Sequence, residues 1–396
     1  MAPDITASGG RAAGRPAAWG AVCAMALGAF ALIASEFMPV SLLTPIAADL
    51  RITEGQAGQA IAISGAFALL TSLSITRLAG RLDRRTLLLA LTVLMMASGT
   101  IVALAPNSLL FMLGRALIGV AIGGFWAMSA ATAMRLVPDR DVPRALAILN
   151  GGNALATIVA APLGSFLGAI IGWRGAFFFV VPLAAIALAW KFFSLPPMPA
   201  QGPAGGTGLL RLLKRPAVAL GMAAVSLFFM GQFALFTYLR PFLETVTRVD
   251  ISTLSLMLLA IGVAGFVGTT LIGAFLKERL YRTLVAIPLL MAAIGVALVA
   301  LGHSPAATAV LLAAWGLITT SAPVGWWTWL AKTLPRDAEA GGGLMVAVVQ
   351  LAIMLGATVG GLLFDASGYR ATFYMSAVLL VIAAALATLA ARAAQT

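Results

Sequence analysis

One carboxylate lies deep inside an apolar stretch of this sequence. Glu36 is embedded in ALIASEFMPVSLLTPI, where Pro39 and Pro45 follow it. A charge near the centre of a bilayer costs roughly 2.5–3.5 kcal/mol on insertion scales. Burial favours the neutral acid, whereas water favours the ionised one. We therefore expect Glu36 to gain and lose a proton; a packing role, in which it only bonds to a neighbouring helix, is the alternative.

Arg115 is the basic counterpart of this group and the only cation that we expect to be buried. It lies in FMLGRALIGVAIGGFWAM, where Gly119 and Gly123 follow at helical spacing and allow a neighbouring helix to approach closely. The same helical face carries Trp126 and Ser129. We predict that Arg115 acts in proton coupling, by biasing the affinity of an acid or by holding water. Tying helices together is the alternative.

Polar and aromatic side chains near the middle of apolar stretches are candidates for solute binding. They are Trp126, Asn153, Phe229, Gln232, Phe236, Tyr238, Trp326 and Gln350. Neutral amides opposite aromatic faces suit a planar, polar, uncharged solute, which would stack on the rings and form hydrogen bonds at its edges. For Trp326 and the nearby Trp329, the alternative is an ordinary position at the membrane–water interface, where tryptophan is enriched.

The composition identifies a membrane protein and excludes other classes. The 396 residues are 61% hydrophobic and 10% charged, with a mean hydropathy of +1.04, whereas soluble domains carry about 25% charged residues. The net charge of +12 is spread in short clusters between apolar stretches, which argues against nucleic-acid binding. There is one histidine, His303, and no GK[ST] phosphate loop, so we expect no enzyme, no metal and no cofactor.

Apolar stretches of membrane-spanning length recur twelve times, which predicts an all-α membrane protein. The predicted spans are 18–43, 57–77, 86–105, 109–134, 144–168, 174–194, 217–239, 253–276, 283–302, 306–330, 343–364 and 371–391. With these spans, nineteen of the 25 Lys and Arg residues fall on one side and five on the other. This asymmetry predicts that both termini are cytoplasmic.

Internal repeats divide the chain into two halves. GWRGAFF at 172–178 is echoed by GYRATFY at 368–374, and Pro138 by Pro335. We predict a cytoplasmic arm (1–17), a six-helix bundle (18–194), a cytoplasmic linker (195–216), a second six-helix bundle (217–391) and a tail (392–396). A solute site is expected between the bundles near mid-membrane.

Small residues recur every four positions in the fifth span. The ridge comprises Gly152, Ala156, Ala160, Gly164 and Gly168, with Pro162 among them. Such a ridge indicates close helix packing, and we expect it to form a sliding surface between the bundles.

These features resemble the major facilitator superfamily, in particular its proton-coupled drug-efflux branch. RALIGVAIGG in the fourth span and APLGSFLG in the fifth carry the resemblance. The loop RLAGRLDRR matches the superfamily's gating motif only in Arg81, Arg84 and Arg85, since Gly80 and Asp83 replace its acid and its later glycine. This departure removes the acid of the usual charge-relay gate.

The resemblance implies a fold and two roles. Two pseudo-symmetric six-helix bundles would alternate access to a central site. Glu36 matches the family's membrane acid and Arg115 its arginine in the fourth span. The implied protein is a monomer in the bacterial inner membrane, whose partners are a small-molecule substrate, protons and the lipid bilayer.

Four longer strings resemble a bacterial subgroup that exports purine ribonucleosides. They are EFMPVSLLTPIAADL, GGFWAMSAATAMRLVP, GQFALFTYLRP and PVGWWTWL. The resemblance implies proton-driven export of inosine or related nucleosides. Two alternatives stay open: a broad drug or sugar efflux antiporter, and a membrane sensor that transports nothing.

Overall fold

The computed structural model describes residues 17–78, 82–199, 209–334 and 337–394, and all statements below concern these ranges. Arg81, the predicted arm up to residue 16, the middle of the predicted linker and the last two residues of the tail lie outside them.

Long helices make up nearly all of the described chain. They are α1 (Trp19–Leu50), α2 (Glu54–Leu78), α3 (Arg84–Leu104), α4 (Ser108–Leu136), α5 (142–171), α6 (173–194), α7 (Pro216–Thr237), α8 (Ile251–Leu276), α9 (Arg279–Leu301), α10 (Pro305–Thr333), α11 (338–367) and α12 (369–393). Short helical turns lie at Asp139–Asp141, Leu209–Leu212, Leu239–Phe242 and Leu243–Thr247.

The described helices agree with the twelve predicted spans. Ten helical stretches are long and apolar enough to cross a membrane, and the two longest are each divided by a kink, which gives twelve. Large apolar side chains on the outer faces are exposed, including Leu109 at 80% and Phe193 at 84%. A belt of this kind suits contact with lipid. The chain is an all-α, multi-pass membrane protein.

The sequence repeat has a direct structural counterpart. Gly172 and Gly368 both adopt a φ of +75° with an extended ψ, and they separate α5 from α6 and α11 from α12. This backbone region is essentially restricted to glycine. Arg51 and Arg248 are 197 residues apart and are the described non-glycine residues with positive φ. The same breaks therefore occur at matching places in both repeats.

Each repeat forms most of its own apolar core. One cluster of buried apolar side chains comes from residues 21–198, together with Tyr238. The other comes from residues 212–387, together with Val40, Ile61, Ala62 and Ala161. The few members from the opposite repeat mark where the two halves touch. The two ends of the molecule are named as follows. The α1–α2 end is the one that holds the turn between α1 and α2. The linker end is the opposite one, where α1 and α7 begin.

The glycine ridge of α5 packs against α1 in the same half. A methyl group at Gly152 would meet the Ala26 carbonyl oxygen, and one at Gly164 would meet the Ser41 hydroxyl. Pro162 is half-buried on the same helix. The expectation that these glycines lie between the bundles is therefore wrong for Gly152 and Gly164. The small residues face α1 because their lack of bulk lets α5 and α1 pack closely within one half.

Other residues of α5 contact the second half. The hydroxyl groups of Ser165 and Ser255 are 2.9 Å apart. A methyl group at Gly262 of α8 would meet the backbone of Ile158 at about 2.7 Å. The side of α5 that faces the other bundle is therefore different from its glycine ridge.

The described part of the α2–α3 loop is bound within its own half. The Asp83 carboxylate accepts hydrogen bonds from the Arg85 amide at 2.7 Å and from the Met198 amide at 2.8 Å. Arg85 donates to the Phe192 carbonyl at 2.7 Å, and the Arg84 amide donates to the Met198 carbonyl at 3.0 Å. Asp83, which replaces the glycine of the family motif, thus caps α3 and holds the chain after α6. Arg81 lies outside the described residues.

Candidate functional site

Arg115 is buried among backbone carbonyls. It has no exposed surface. One of the carbonyl groups that it contacts is available because of Pro39. A proline has no N–H, so it leaves the carbonyl four residues earlier without its helical donor. That carbonyl belongs to Ser35, and Arg115 donates to it at 2.7 Å. The remaining Arg115 bonds go to the Glu36 carbonyl at 3.0 Å, the Ala60 carbonyl at 3.2 Å and the Ser64 hydroxyl at 3.2 Å.

Close packing of α4 on α2 holds Arg115 in this position. Methyl groups at Gly119 and Gly123 would meet the carbonyl oxygens of Ser64 and Ala68. The two glycines thus let α4 approach α2 closely, as their spacing in the sequence indicates. The Arg115 side chain can then reach both α1 and α2.

Glu36 is buried at the contact between the two halves. Glu36 is 5% exposed, and among the described residues it is the one acidic residue that is buried. The Arg115 guanidinium is close enough to interact electrostatically with its carboxyl group, and the Gln350 side chain of α11 lies within hydrogen-bonding reach. Because α11 belongs to the second half, the carboxyl group has one neighbour from each half.

An aromatic group bridges the halves beside Glu36. The rings of Phe37 and Phe233 stack with centroids 5.8 Å apart, and Phe236 meets Phe233 edge to face at 6.3 Å. Gln232 and Phe236 are half-buried, and the Gln232 Oε1 atom is buried without a hydrogen-bond partner. An unpaired buried acceptor is costly, so this atom is suited to receive a donor from a solute.

The other predicted solute residues fall into two groups. Trp126 and Asn153 are half-buried, whereas Phe229 is 8% exposed and packs edge to face on Phe228. Tyr238 and Trp326 are fully packed in this conformation. The Tyr238 hydroxyl donates to the Ala357 carbonyl at 2.7 Å and its ring stacks on Phe364, while Trp326 packs against Trp329. The structure thus brings Gln232, Phe236 and Gln350 near the contact of α1 with α7 and α11, and it gives Tyr238 and Trp326 packing partners.

Hydrogen bonds join the two halves at the α1–α2 end. The Asp365 carboxylate accepts from the Thr53 hydroxyl at 2.5 Å and from the Gly55 amide at 3.0 Å. Asp365 therefore caps the N-terminus of α2 from the other half, a position where anions are favoured. One turn further along α2, the Thr358 hydroxyl donates to Gln59 at 3.1 Å. These contacts close the α1–α2 end in this conformation.

Sequence reasoning missed four residues that bear on the site, of which three are buried and Phe37 is half-buried. Phe37 and Phe233 form the aromatic bridge, and two cations besides Arg115 are buried: Lys191 at 2% exposure and Arg240 at 5%. The expectation of a single buried cation is therefore wrong. Lys191 donates to the Thr92 hydroxyl at 3.0 Å and lies over the Phe125 ring. It is near the end of α6, so its sequence position suggests an interfacial residue.

Comparison with known proteins decides the family. The model of the Major Facilitator Superfamily matches residues 25–342, which is most of the chain. The chain belongs to this superfamily. It is accordingly a membrane transporter of a small-molecule substrate and not an enzyme, as the sequence resemblance implied.

Two curated relatives cover nearly the whole chain. The purine ribonucleoside efflux pump NepI of Salmonella enteritidis is 42% identical over 366 residues, which cover 92% of each protein. The transcription regulatory protein OpdE of Pseudomonas aeruginosa is 66% identical over 378 residues, which cover 94% of each. The two names describe different activities, although all three chains align over almost their full length.

A solved structure supports the fold of this superfamily member. A bacterial homolog of the human lysosomal transporter Spinster superposes with a TM-score of 0.78 at 17% identity, covering 96% of this chain and 98% of that one. At this level of identity the similarity concerns the fold alone.

Proposed function

We propose that this transporter exports a neutral, planar solute in exchange for an inward proton, and that its substrate class is the purine ribonucleosides, such as inosine. The observation that carries the proposal is the position of Glu36. Its carboxyl group is buried in the first half and lies beside Gln350 of the second half. A proton on this group can therefore affect how the two halves meet.

Proton exchange at Glu36 provides a coupling step. When water reaches the carboxyl group it favours ionisation, and when the halves close over the group its burial favours the neutral form. The proton would be taken up as solute leaves on one side and released as solute binds on the other. One elementary charge moving through 100 mV provides about 2.3 kcal/mol, enough for roughly a fifty-fold solute gradient.

The aromatic and amide groups near Glu36 suit a nucleoside. A purine ring can stack on the half-buried Phe236, and the unpaired Gln232 Oε1 atom can accept a hydrogen bond from a ring N–H or a ribose hydroxyl. Asn153 and Gln350 offer further amides at matching positions of the repeats. The name of the 42% identical relative supports this substrate class.

The orientation and the domain arrangement belong to the same proposal. We place both termini in the cytoplasm and the protein, as a monomer, in the bacterial inner membrane. The bundles are residues 18–194 and 217–391, joined by a cytoplasmic linker at 195–216. In this orientation the closed α1–α2 end faces outward, and the linker end would receive solute from the cytoplasm. Arg81, Arg84 and Arg85 would contribute to closing the linker end in the opposite conformation.

A regulatory membrane sensor is the second candidate, because the 66% identical relative is named a transcription regulatory protein. A sensor would bind its ligand without net flux. A broad drug or sugar exporter is a variant of the transport hypothesis and would accept several unrelated solutes.

Flux through purified protein separates these candidates. Proteoliposomes with an imposed pH gradient would be tested with inosine, adenosine, guanosine, arabinose and chloramphenicol. We expect saturable, gradient-driven flux of the nucleosides and none of the other two. Binding without flux would support a sensor, and comparable flux of all five would support a broad exporter.

A further inference from the structure

Pro45 leaves a second carbonyl of α1 without its helical donor. In an α-helix the carbonyl of one residue accepts from the N–H four residues later, and proline has no N–H. The carbonyl oxygen of Ser41 is therefore unpaired within α1. Ser41 is fully buried, and an unpaired backbone group is costly within a membrane. A donor from elsewhere is required.

Arg240 of the other half supplies this donor. Its Nη1 atom donates to the Ser41 carbonyl oxygen, and Arg240 is itself 5% exposed. Its Nε atom donates to Glu244 Oε1 at 2.7 Å, one helical turn along the chain. The guanidinium thus carries its own counter-charge and completes the hydrogen bonding of a helix in the opposite half.

We propose that Arg240 is a positioning residue for alternating access: it closes the α1–α2 end by supplying, across the two halves, the hydrogen bond that Pro45 removes from α1.

Pro39 provides an internal comparison. It frees the Ser35 carbonyl in the same way, and Arg115 donates to that oxygen at 2.7 Å. Arg115 belongs to the same half as α1, so this bond persists when the halves separate. The bond between Arg240 and Ser41 breaks whenever the α1–α2 end opens. In α1, therefore, an arginine bonds to a carbonyl freed by proline at two places: the bond from Arg115 is kept in both conformations, and the bond from Arg240 is lost on opening.

The opening of this end remains energetically accessible. Water that enters can satisfy the Ser41 carbonyl, and Glu244 keeps the Arg240 charge paired. The lost bond involves a charged donor, which makes it worth about a tenfold bias towards the closed end. This inference goes beyond the proposed function, because it requires only two halves that separate. It depends neither on Glu36 nor on the identity of the solute.

Distances between spin labels on the two halves test the proposal. The labels would be placed at Leu109→Cys in α4 and His303→Cys before α10, both exposed at the α1–α2 end, in a Cys23→Ser background that removes the single native cysteine. Double electron–electron resonance of the full-length protein in nanodiscs then reports the closed and open populations. The variants are Arg240→Gln, Arg240→Lys, Pro45→Ala and the combination of Arg240→Gln with Pro45→Ala. Arg248→Gln, at an exposed position of the same end, is the matched control.

The expected populations follow from where the Ser41 carbonyl finds its donor. Arg240→Gln raises the ratio of open to closed protein about tenfold, Arg240→Lys restores most of the closed population, and Arg248→Gln leaves it unchanged. Pro45→Ala returns an N–H to the Ser41 carbonyl, so it also favours the open end. Adding Arg240→Gln to Pro45→Ala then changes the ratio by less than about twofold.

Two results would overturn the proposal. One is an equal effect of Arg240→Gln whether it is made alone or added to Pro45→Ala, and the other is an unchanged population ratio in Pro45→Ala. Pro45→Ala removes no polar contact, so this variant gives a decisive result even if Arg240→Gln fails to fold. Monodisperse elution and a thermal midpoint no lower than that of the wild type establish that the fold of Pro45→Ala is intact.

Discussion

Glu36 of α1 and Gln350 of α11 lie side by side although they belong to different halves of the transporter. A carboxyl group in this position has a neighbour that moves away when the halves separate, whereas Arg115 stays with it. The electrostatic environment of Glu36 therefore depends on the conformation. That dependence is the physical basis of the coupling that we propose between protonation of Glu36 and alternating access.

Removing the neighbour of Glu36 from the second half should weaken coupling without abolishing transport. In Gln350→Leu the carboxyl group keeps Arg115 but loses its amide partner. We expect the ratio of protons to solute moved to fall, and uncoupled proton leak to rise, with solute exchange retained. Simultaneous recording of pH and radiolabelled solute in proteoliposomes measures both quantities. Asn150→Leu, at an exposed amide on α5, is the control; a normal coupling ratio in Gln350→Leu would contradict the role of this contact.

The unpaired amide and the adjacent ring should determine which solutes are accepted. Gln232→Ala removes the buried acceptor and Phe236→Ala removes a stacking face. We expect each to raise the KM for inosine about tenfold or more, as the loss of one specific contact does. Inosine analogues methylated at a ring N–H lack the donor that would pair with Gln232. At matched protein levels the wild type should transport these analogues poorly, and Gln232→Ala should change their transport little. Unchanged selectivity in both variants would place the solute elsewhere.

The cap that Asp365 of the second half places on the N-terminus of α2 should stabilise the closed α1–α2 end measurably. Thr53→Val and Asp365→Ala each disrupt the contact, and loss of a capping side chain costs about 0.5–2 kcal/mol. In a double-mutant cycle on thermal unfolding the two effects should be less than additive, because the residues act on each other. Asp49→Asn, which removes a carboxylate that pairs with Arg174 within one half at the same end, is the control and should be additive with Thr53→Val. Full additivity of Thr53→Val and Asp365→Ala would contradict the capping role.

The glycine ridge of α5 should tolerate no side chain at Gly152, where it lies closest to the backbone of α1. In Gly152→Val the new atoms would overlap the Ala26 carbonyl of α1, and overpacking of this kind costs about 1–3 kcal/mol. Gly151→Val adds the same side chain at the preceding position, where nothing lies within 4 Å. The thermal midpoint of unfolding in detergent should fall in the first variant and change little in the second. Equal midpoints would show that the ridge can separate without cost.

The fold could be predicted from the sequence because its signals are local. Apolar length defines the spans, and the repeated glycines Gly172 and Gly368 mark the same backbone break in both halves. Glu36 and Arg115 could be found because a charge within an apolar run is visible without a structure. Their partners could not be assigned, because the contact of Gln350 with Glu36 depends on how the two halves pack.

The residues that sequence reasoning missed lie where local signals are ambiguous. Lys191 and Arg240 are near helix ends, where a cation ordinarily reaches the interface, and only tertiary packing buries them. Pro45 could have indicated a buried donor such as Arg240, because a proline within a membrane helix requires an external donor for the carbonyl four residues earlier. Phe37 and Phe233 are ordinary apolar residues in sequence, and their stacking appears only when α1 meets α7.

The most direct test of the account is solute-driven proton movement through purified protein. Inosine would be added to one side of proteoliposomes without an imposed gradient, and an internal pH dye would be followed in wild type, Glu36→Gln and the control Glu54→Gln. We predict inosine-dependent proton flux in wild type and in Glu54→Gln, and none in Glu36→Gln, which should still exchange radiolabelled inosine for unlabelled inosine. Inosine-dependent proton flux at the wild-type rate in Glu36→Gln would contradict the account.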